Sequence, residues 1–185
     1  MELITTIIKL RDYKENVMED IRTMSVLNSN EHRTKYDLVF SPSKFEKCFT
    51  EDPNQEHILY VVCARGGAGR LAFKNTAIGY AYATIDKHDE LIMEAYGLPK
   101  AQINELYIGK AYRGGHRAKK LLRTMCTYMR NIYHVDKIMV TVAKTNTPGI
   151  NLYKGFKFED SNIDIGNDKV TVMIKEYNKE KKKGE

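Results

Sequence analysis

The sequence has no tryptophan, only four prolines and only three cysteines in 185 residues. Cys48, Cys63 and Cys126 are odd in number and show no CxxC or Cys/His spacing, which excludes a disulfide framework and a zinc site from the expected architecture. Reduced thiols and a cytoplasmic location are the matching expectation. No apolar run approaches the roughly 20 residues that a membrane-spanning helix needs. The stretch Leu3-Ile4-Thr5-Thr6-Ile7-Ile8 lacks a basic leader and a small-residue cleavage site, so neither export nor membrane insertion is expected. No internal repeat appears, and no linker divides the chain. One domain over residues 1–178 with a polar, lysine-rich tail over 179–185 is the simplest organisation.

What is present is a chain with 42% hydrophobic residues, enough to bury a core, and a formal charge of +6. Lys179, Lys181, Lys182 and Lys183, set against Glu180 and Glu185, account for two of those charges. An excess of that size suits a polyanionic small molecule, a nucleic acid or simple solubility, and decides nothing alone.

Runs rich in β-branched and aromatic residues predict strands at Leu3 to Leu10, Ile58 to Cys63, Ala77 to Ile85, Ile103 to Ile108, Lys137 to Ala143 and Lys169 to Lys175. Asp12 is placed to cap a first helix with Val17, Met18, Ile21 and Met24 on its apolar face, and Ser41-Pro42 to open a second. From Arg117 to Tyr133, Ala118, Leu121, Leu122, Met125, Met129 and Ile132 recur at spacings of three and four. Lys119, Lys120, Arg123 and Arg130 lie mainly on the other face, so this helix is amphipathic with a basic outer side. A short helix is expected from about Pro148 to Tyr153. Gly66 to Gly69 and Lys87 to Lys100 read as loops. The order describes a mixed sheet with helices on both faces, in which ligands tend to bind where the strand order splits.

That rule directs attention to Arg113-Gly114-Gly115-His116-Arg117-Ala118-Lys119-Lys120-Leu121-Leu122, where a strand passes through a glycine turn into a helix. Backbone N–H groups at a helix start lack intrahelical acceptors and sit at the positive end of the helix dipole, so they can cradle phosphate oxygens. Glycines let the backbone approach closely, and Arg113, Arg117, Lys119 and Lys120 add positive charge. Taken alone, the pattern is also that of an ordinary turn feeding a solvent-facing helix.

The segment resembles the coenzyme-binding motif of the GNAT superfamily of acetyl-CoA-dependent N-acyltransferases, an Arg or Gln followed by x-x-Gly-x-Gly/Ala at a strand-to-helix turn. Arg113 and Ala118 fill the outer positions, and His116 stands where the family favours glycine. Leu106-Tyr107-Ile108 resembles the preceding strand, whose backbone holds the pantetheine arm where two parallel strands splay apart. Further on, Asn146-Thr147-Pro148-Gly149-Ile150-Asn151-Leu152-Tyr153 resembles the family's Asn-x-x-Ala/Gly-x-x-Leu-Tyr stretch without a gap. The following Gly-Phe is matched either by Lys157-Phe158, the ungapped and preferred frame, or by Gly155-Phe156 after a deletion.

The resemblance implies a GNAT-like mixed, mostly antiparallel sheet of six to seven strands, with parallel fourth and fifth strands splayed apart. It implies acetyl-CoA as co-substrate, no metal, and transfer of acetyl to a primary amine on a small molecule or a protein. Leu106, Tyr107, Ile108, Arg113, Gly114, Gly115, His116, Arg117, Ala118, Lys119, Asn146 and Tyr153 would contact the coenzyme. Aminolysis of a thioester needs a neutral amine and a proton for the departing thiolate. Tyr153 is the candidate general acid and Glu105 the candidate base, with Asp86, His88 and Glu94 as weaker carboxylate or imidazole candidates. Acceptor recognition is expected from Asn28 to Phe49, Lys87 to Lys100 and Asp160 to Asp168. The competing readings are a protein of the same fold that binds coenzyme A without catalysis, and a nucleic-acid-associated protein using the basic helix and tail. The latter lacks any recognised motif. The sequence sets no oligomeric state, and a homodimer is one arrangement it leaves open.

Overall fold

A computed structural model of the chain describes residues 4–9, 15–43, 45, 54–65, 75–87 and 99–177. The elements are β1 (Ile4–Lys9), α1 (Glu15–Tyr36), β2 (Gln55–Arg65), β3 (Asn75–Asp86), β4 (Ala101–Ile108), a 3-10 turn (Lys110–Tyr112), α2 (Arg117–Tyr133), β5 (Lys137–Ala143), α3 (Thr147–Lys154), β6 (Glu159–Asp160) and β7 (Val170–Glu176). They form one seven-stranded sheet in the order β1-β2-β3-β4-β5-β7-β6. Every neighbouring pair is antiparallel except β4 with β5. The mixed sheet is therefore as expected, and β5 and α2 have the boundaries read from the sequence.

Side chains alternate across the strands, so β2 feeds two cores at once. Ile58, Tyr60 and Val62 pack with Leu121, Leu122, Met125 and Met129 of α2. Leu59, Val61 and Cys63 pack with Val17, Met18, Ile21 and Met24 of α1 on the opposite face. Both faces of the sheet's centre are thus covered by helix.

One irregularity in this sheet aims a site residue. Tyr82 pairs with Glu105 and Ala83 with Ile103, which leaves Asn104 as the extra residue of a β-bulge. Before the bulge, Ala101 and Ile103 face the α2 side; after it, Leu106 and Ile108 do. Glu105 is thereby turned to the α1 side, where Tyr107 also lies.

Helix α1 is longer than its apolar stripe suggests. Residues 28–36, within the Asn28 to Phe49 range expected to recognise the acceptor, are helical. The buried face continues past Met24 with Ser25, Asn28 and Ser29, which hydrophobic periodicity does not register. Ser41, Pro42 and Ser43 are not helical, and the rest of the expected second helix lies outside the described residues. So do Asp12, the Gly66 to Gly69 loop, His88, Glu94 and the 179–185 tail. Asp86 ends β3 and its N–H bonds to the carbonyl of Lys100, at the far end of β4 from the glycine turn.

The end of α3 settles the frame of the second motif. The N–H of Phe158 bonds to Tyr153 O at 3.1 Å and that of Lys157 to Lys154 O at 3.0 Å, the two bonds of a Schellman helix stop. Lys157 takes the left-handed conformation with φ 65°, the position that glycine normally fills. Phe158 packs its ring 5.5 Å from that of Tyr153, the apolar contact that accompanies such stops. The ungapped alignment is the one the backbone supports. Lys157→Gly is expected to relieve the left-handed strain and leave stability equal or higher by up to about 1 kcal/mol, measured by denaturant unfolding.

Candidate functional site: a cleft where two parallel strands part

Strands β4 and β5 pair only through Ala101, Gln102 and Ile103 with Ile138, Met139 and Val140. Beyond that register, Glu105 to Ile108 and Thr141 to Ala143 diverge, and a cleft of about 560 Å³ opens beside the end of β4. Leu106, Tyr107 and Ile108 form its strand wall. Arg113, Gly114, His116, Arg117, Ala118 and Lys119 form its far rim, and Asn146 lines it from the start of α3. The expected coenzyme residues therefore converge on one cavity, with Gly115 inside the same rim and Tyr153 lining a second cavity described below.

The rim owes its shape to three consecutive left-handed residues, Gly114 (φ 90°), Gly115 (φ 57°) and His116 (φ 59°). A non-glycine residue pays a steric cost there. His116 bears that conformation as the N-cap of α2 without capping it through its side chain, which explains why glycine is the usual occupant. The loop is braced from within: Arg117 Nη1 donates to the carbonyl oxygens of Tyr112 (3.0 Å) and Gly114 (3.3 Å). Arg117 Nε is a buried donor with no partner among the described residues. An unsatisfied buried donor beside the free N–H groups of a helix start suits an anion.

Arg113 is committed elsewhere than the sequence implies. Its Nη1 and Nη2 donate to the two carboxylate oxygens of Glu31 at 2.8 and 2.5 Å, and its Nε to Ile108 O at 3.1 Å. The guanidinium also lies 5.5 Å from the centroid of the Tyr107 ring. Lys35 adds a second cation 2.5 Å from Glu31. The Arg113 hydrogen bonds are the main reason the Glu31 carboxyl is held down at about 2 from an ordinary 4.5. Because the folded-state value is depressed, the pair's contribution is complete above pH 4.5 and is lost as pH falls toward 2. Arg113 thus ties α1 to the loop over the cleft, and Glu31, Lys35 and Tyr36, from the segment expected to recognise the acceptor, line the same cleft as the glycine turn.

Asn146 caps α3, its Oδ1 accepting from the N–H of Gly149 at 3.1 Å. A Cβ on residue 149 would approach Asn146 Nδ2 to 2.7 Å, so the small residue there protects the cap.

A second cavity, of about 290 Å³, shares Asn28, His32, Leu106, Asn146, Gly149 and Leu152 with the first and continues to Glu105 and Tyr153. Tyr153 is 7% exposed. Burial first, and the neighbouring Cys126 second, raise its phenol well above the usual tyrosine value, so it stays protonated at neutral pH. Glu105, also 7% exposed, accepts hydrogen bonds from Asn28 Nδ2 at 3.0 Å, Ser25 Oγ at 3.3 Å, Ser43 Oγ and Tyr80 OH. Those partners come from α1, β3 and the segment after α1.

Among the described residues, no group of three or more His, Cys, Asp or Glu is placed to hold a metal ion, and no helix is long and apolar enough to cross a membrane.

A sheet parted between parallel β4 and β5, with a left-handed turn feeding a helix at the parting, is the layout of the acetyltransferase (GNAT) class. The profile described as the acetyltransferase (GNAT) family matches residues 27–158, and the chain belongs to that family. It is 25% identical over 108 residues to a probable spermine N(1)-acetyltransferase of Bacillus subtilis subsp. natto, covering 57% of this chain and 67% of that protein. In fold it is similar to Arabidopsis thaliana NAA60 in complex with a bisubstrate analogue, with 17% identity, TM-score 0.60 and coverage of 94% and 100% of the two chains. It is also similar to the PaiA N-acetyltransferase of Thermoplasma acidophilum in complex with coenzyme A, with 16% identity, TM-score 0.56 and coverage of 94% and 99%.

Proposed function

We propose that this enzyme transfers the acetyl group of acetyl-CoA directly to a primary amine, and the observation that carries the reading is the junction of the two cavities. The 560 Å³ cleft with its anion-suited rim meets the 290 Å³ cavity holding a protonated, buried phenol. Two adjoining cavities, one with an anion-suited rim and the other lined by a proton donor, suit a two-substrate thioester aminolysis.

In this reading, the N–H groups of the rim and the start of α2 bind the pyrophosphate, with Lys119 and the Arg117 Nε nearby. The free edge of Leu106 to Ile108 orients the pantetheine arm. The amine nitrogen attacks the thioester carbonyl carbon, a C–N bond forms and the C–S bond breaks. Tyr153 donates its proton to the departing sulfur. Glu105 is the carboxylate lining the acceptor cavity among the described residues, and draws the amine's proton through an intervening water. Arg113 acts by holding the loop against Glu31 rather than by offering a free guanidinium.

The direct test is thermal stabilisation. A ligand at about 100 times its dissociation constant adds roughly 2.7 kcal/mol to the native state, a rise of roughly 5–10 °C for a chain of this size. Millimolar acetyl-CoA is expected to produce it, and Ala118→Glu, which places a carboxylate on the rim, to abolish it. No shift in the parent protein would refute coenzyme binding. A shift that persists in Ala118→Glu would move the site elsewhere.

A further inference from the structure

A primary amine enters at neutral pH as an ammonium, and two protons must leave its nitrogen before an amide is formed. One leaves before the nitrogen has a lone pair with which to attack, the other after the C–N bond has formed. Glu105, engaged by Ser25, Asn28, Ser43 and Tyr80, accounts for one removal through water in the reading above. A second proton acceptor is needed where the two cavities meet.

Six described residues line both cavities: Asn28, His32, Leu106, Asn146, Gly149 and Leu152. Asn28 donates Nδ2 to Glu105 at 3.0 Å, and Asn146 accepts the N–H of Gly149 at 3.1 Å. Both are amides, which do not act as bases at neutral pH. His32 is the titratable side chain on the shared wall among the described residues.

Its geometry is that of a base. His32 follows Asn28 by four residues, so the two share one face of α1. Ring Nδ1 lies 3.0 Å from the carbonyl oxygen of Asn28. A carbonyl oxygen only accepts, so Nδ1 carries the ring hydrogen and the neutral imidazole keeps its lone pair on Nε2. Among the described residues no hydrogen bond engages Nε2. Tyr36 and Phe40 hold the ring edge to face, their centroids 5.2 and 5.1 Å from it. The residue is half-buried, so a proton taken up on the shared wall can pass on to water.

From this we infer that His32 Nε2 is the base that takes the first proton from the arriving ammonium; the inference rests on the acetyl-transfer reading above. The neutral nitrogen then attacks the thioester carbonyl carbon, the C–N bond forms, the C–S bond breaks and the second proton leaves toward Glu105. Of the two protons given up by nitrogen, one balances the proton that Tyr153 delivers to sulfur. The other passes from His32 to solvent. An ammonium and a thioester thus become an amide, a thiol and one released proton.

Two measurements test this assignment. His32→Asn keeps a short amide able to donate to the Asn28 carbonyl and removes Nε2. Its kcat with 2-phenylethylamine, spermidine or a short peptide with a free amino terminus, all largely ammonium at pH 7, is expected to fall by about 10²-fold, with KM for acetyl-CoA unchanged. O-benzylhydroxylamine is neutral at that pH and has no first proton to lose, so its kcat should stay within about threefold. Retention of more than half the parent kcat with the ammonium substrates overturns the inference. An equal loss with O-benzylhydroxylamine does so too, since it marks a residue that only shapes the wall. The second measurement is made on the parent protein: nitrogen NMR of its histidines at neutral pH is expected to show His32 with hydrogen on Nδ1 and a bare Nε2, and the opposite tautomer would refute the assignment. A parent protein that releases thiol with none of these amines would refute acetyl transfer itself and remove the task given to His32, a result distinct from the failures above.

Discussion

Tyr153→Phe is expected to lower kcat for acetyl transfer by about 10²-fold or more, the range in which a positioned general acid acts. KM for acetyl-CoA should remain within about twofold. The substitution removes one oxygen and keeps the ring that packs on Phe158 at 5.5 Å. None of the described residues hydrogen-bonds to the hydroxyl, so no buried network is broken and the melting temperature should hardly move. That separation makes the variant informative: a loss of rate without a loss of stability or coenzyme affinity isolates proton donation to the leaving sulfur. The loss should be flat with pH across the neutral range. Burial raises the phenol above its ordinary value of 10.0, so the donor is fully protonated there and its own titration contributes nothing below pH 10. Retention of more than half the parent kcat would remove Tyr153 from the chemistry and leave it a packing residue.

The legible and illegible parts of this molecule divide along a physical line. Strand β5 and helix α2 were readable to the residue because their buried faces are made of apolar side chains at regular spacing, as in Leu121, Leu122, Met125 and Met129. The glycine turn and the Asn146 to Tyr153 stretch were readable because backbone demands there, left-handed φ and a helix cap, restrict residue choice. The long second half of α1 was not, since its buried face is written in Ser25, Asn28 and Ser29. Ser25 and Asn28 are buried against Glu105, which is 80 residues from Ser25 in sequence, and Ser29 donates to Phe40 O at 2.6 Å. The Arg113 to Glu31 pair spans 82 residues and was equally hidden. Local patterns pointed to the glycine-turn side of the proposed site, whereas the side around Glu105 is built from polar contacts between distant segments.

Glu105→Gln provides the sharpest test of that second half. The carboxylate is acceptor-only, and the bulge at Asn104 presents it to four donors, the hydroxyls of Ser25, Ser43 and Tyr80 and the amide of Asn28. A glutamine keeps the shape but replaces one oxygen by an NH₂ group that faces donors. At least one buried hydrogen bond becomes a donor-to-donor contact, and the cost is the loss of a charge-assisted bond plus an unsatisfied group, roughly 3 kcal/mol. For a chain of this length that corresponds to a fall in melting temperature of roughly 6–12 °C. Because Ser43 and Asn28 hold the wall of the acceptor cavity, KM for the amine should rise while coenzyme stabilisation survives. The pH profile separates the two roles of the carboxylate. If Glu105 also takes the amine's proton, kcat in the glutamine variant stays depressed up to pH 9, where a larger share of the free amine is already neutral. If it serves only to anchor α1 and Ser43, kcat at saturating amine approaches the parent value and the deficit is confined to KM and stability. A variant with unchanged melting temperature would show that the four-donor arrangement does not hold α1 against the sheet, and would undo the account of why α1 continues beyond its apolar stripe.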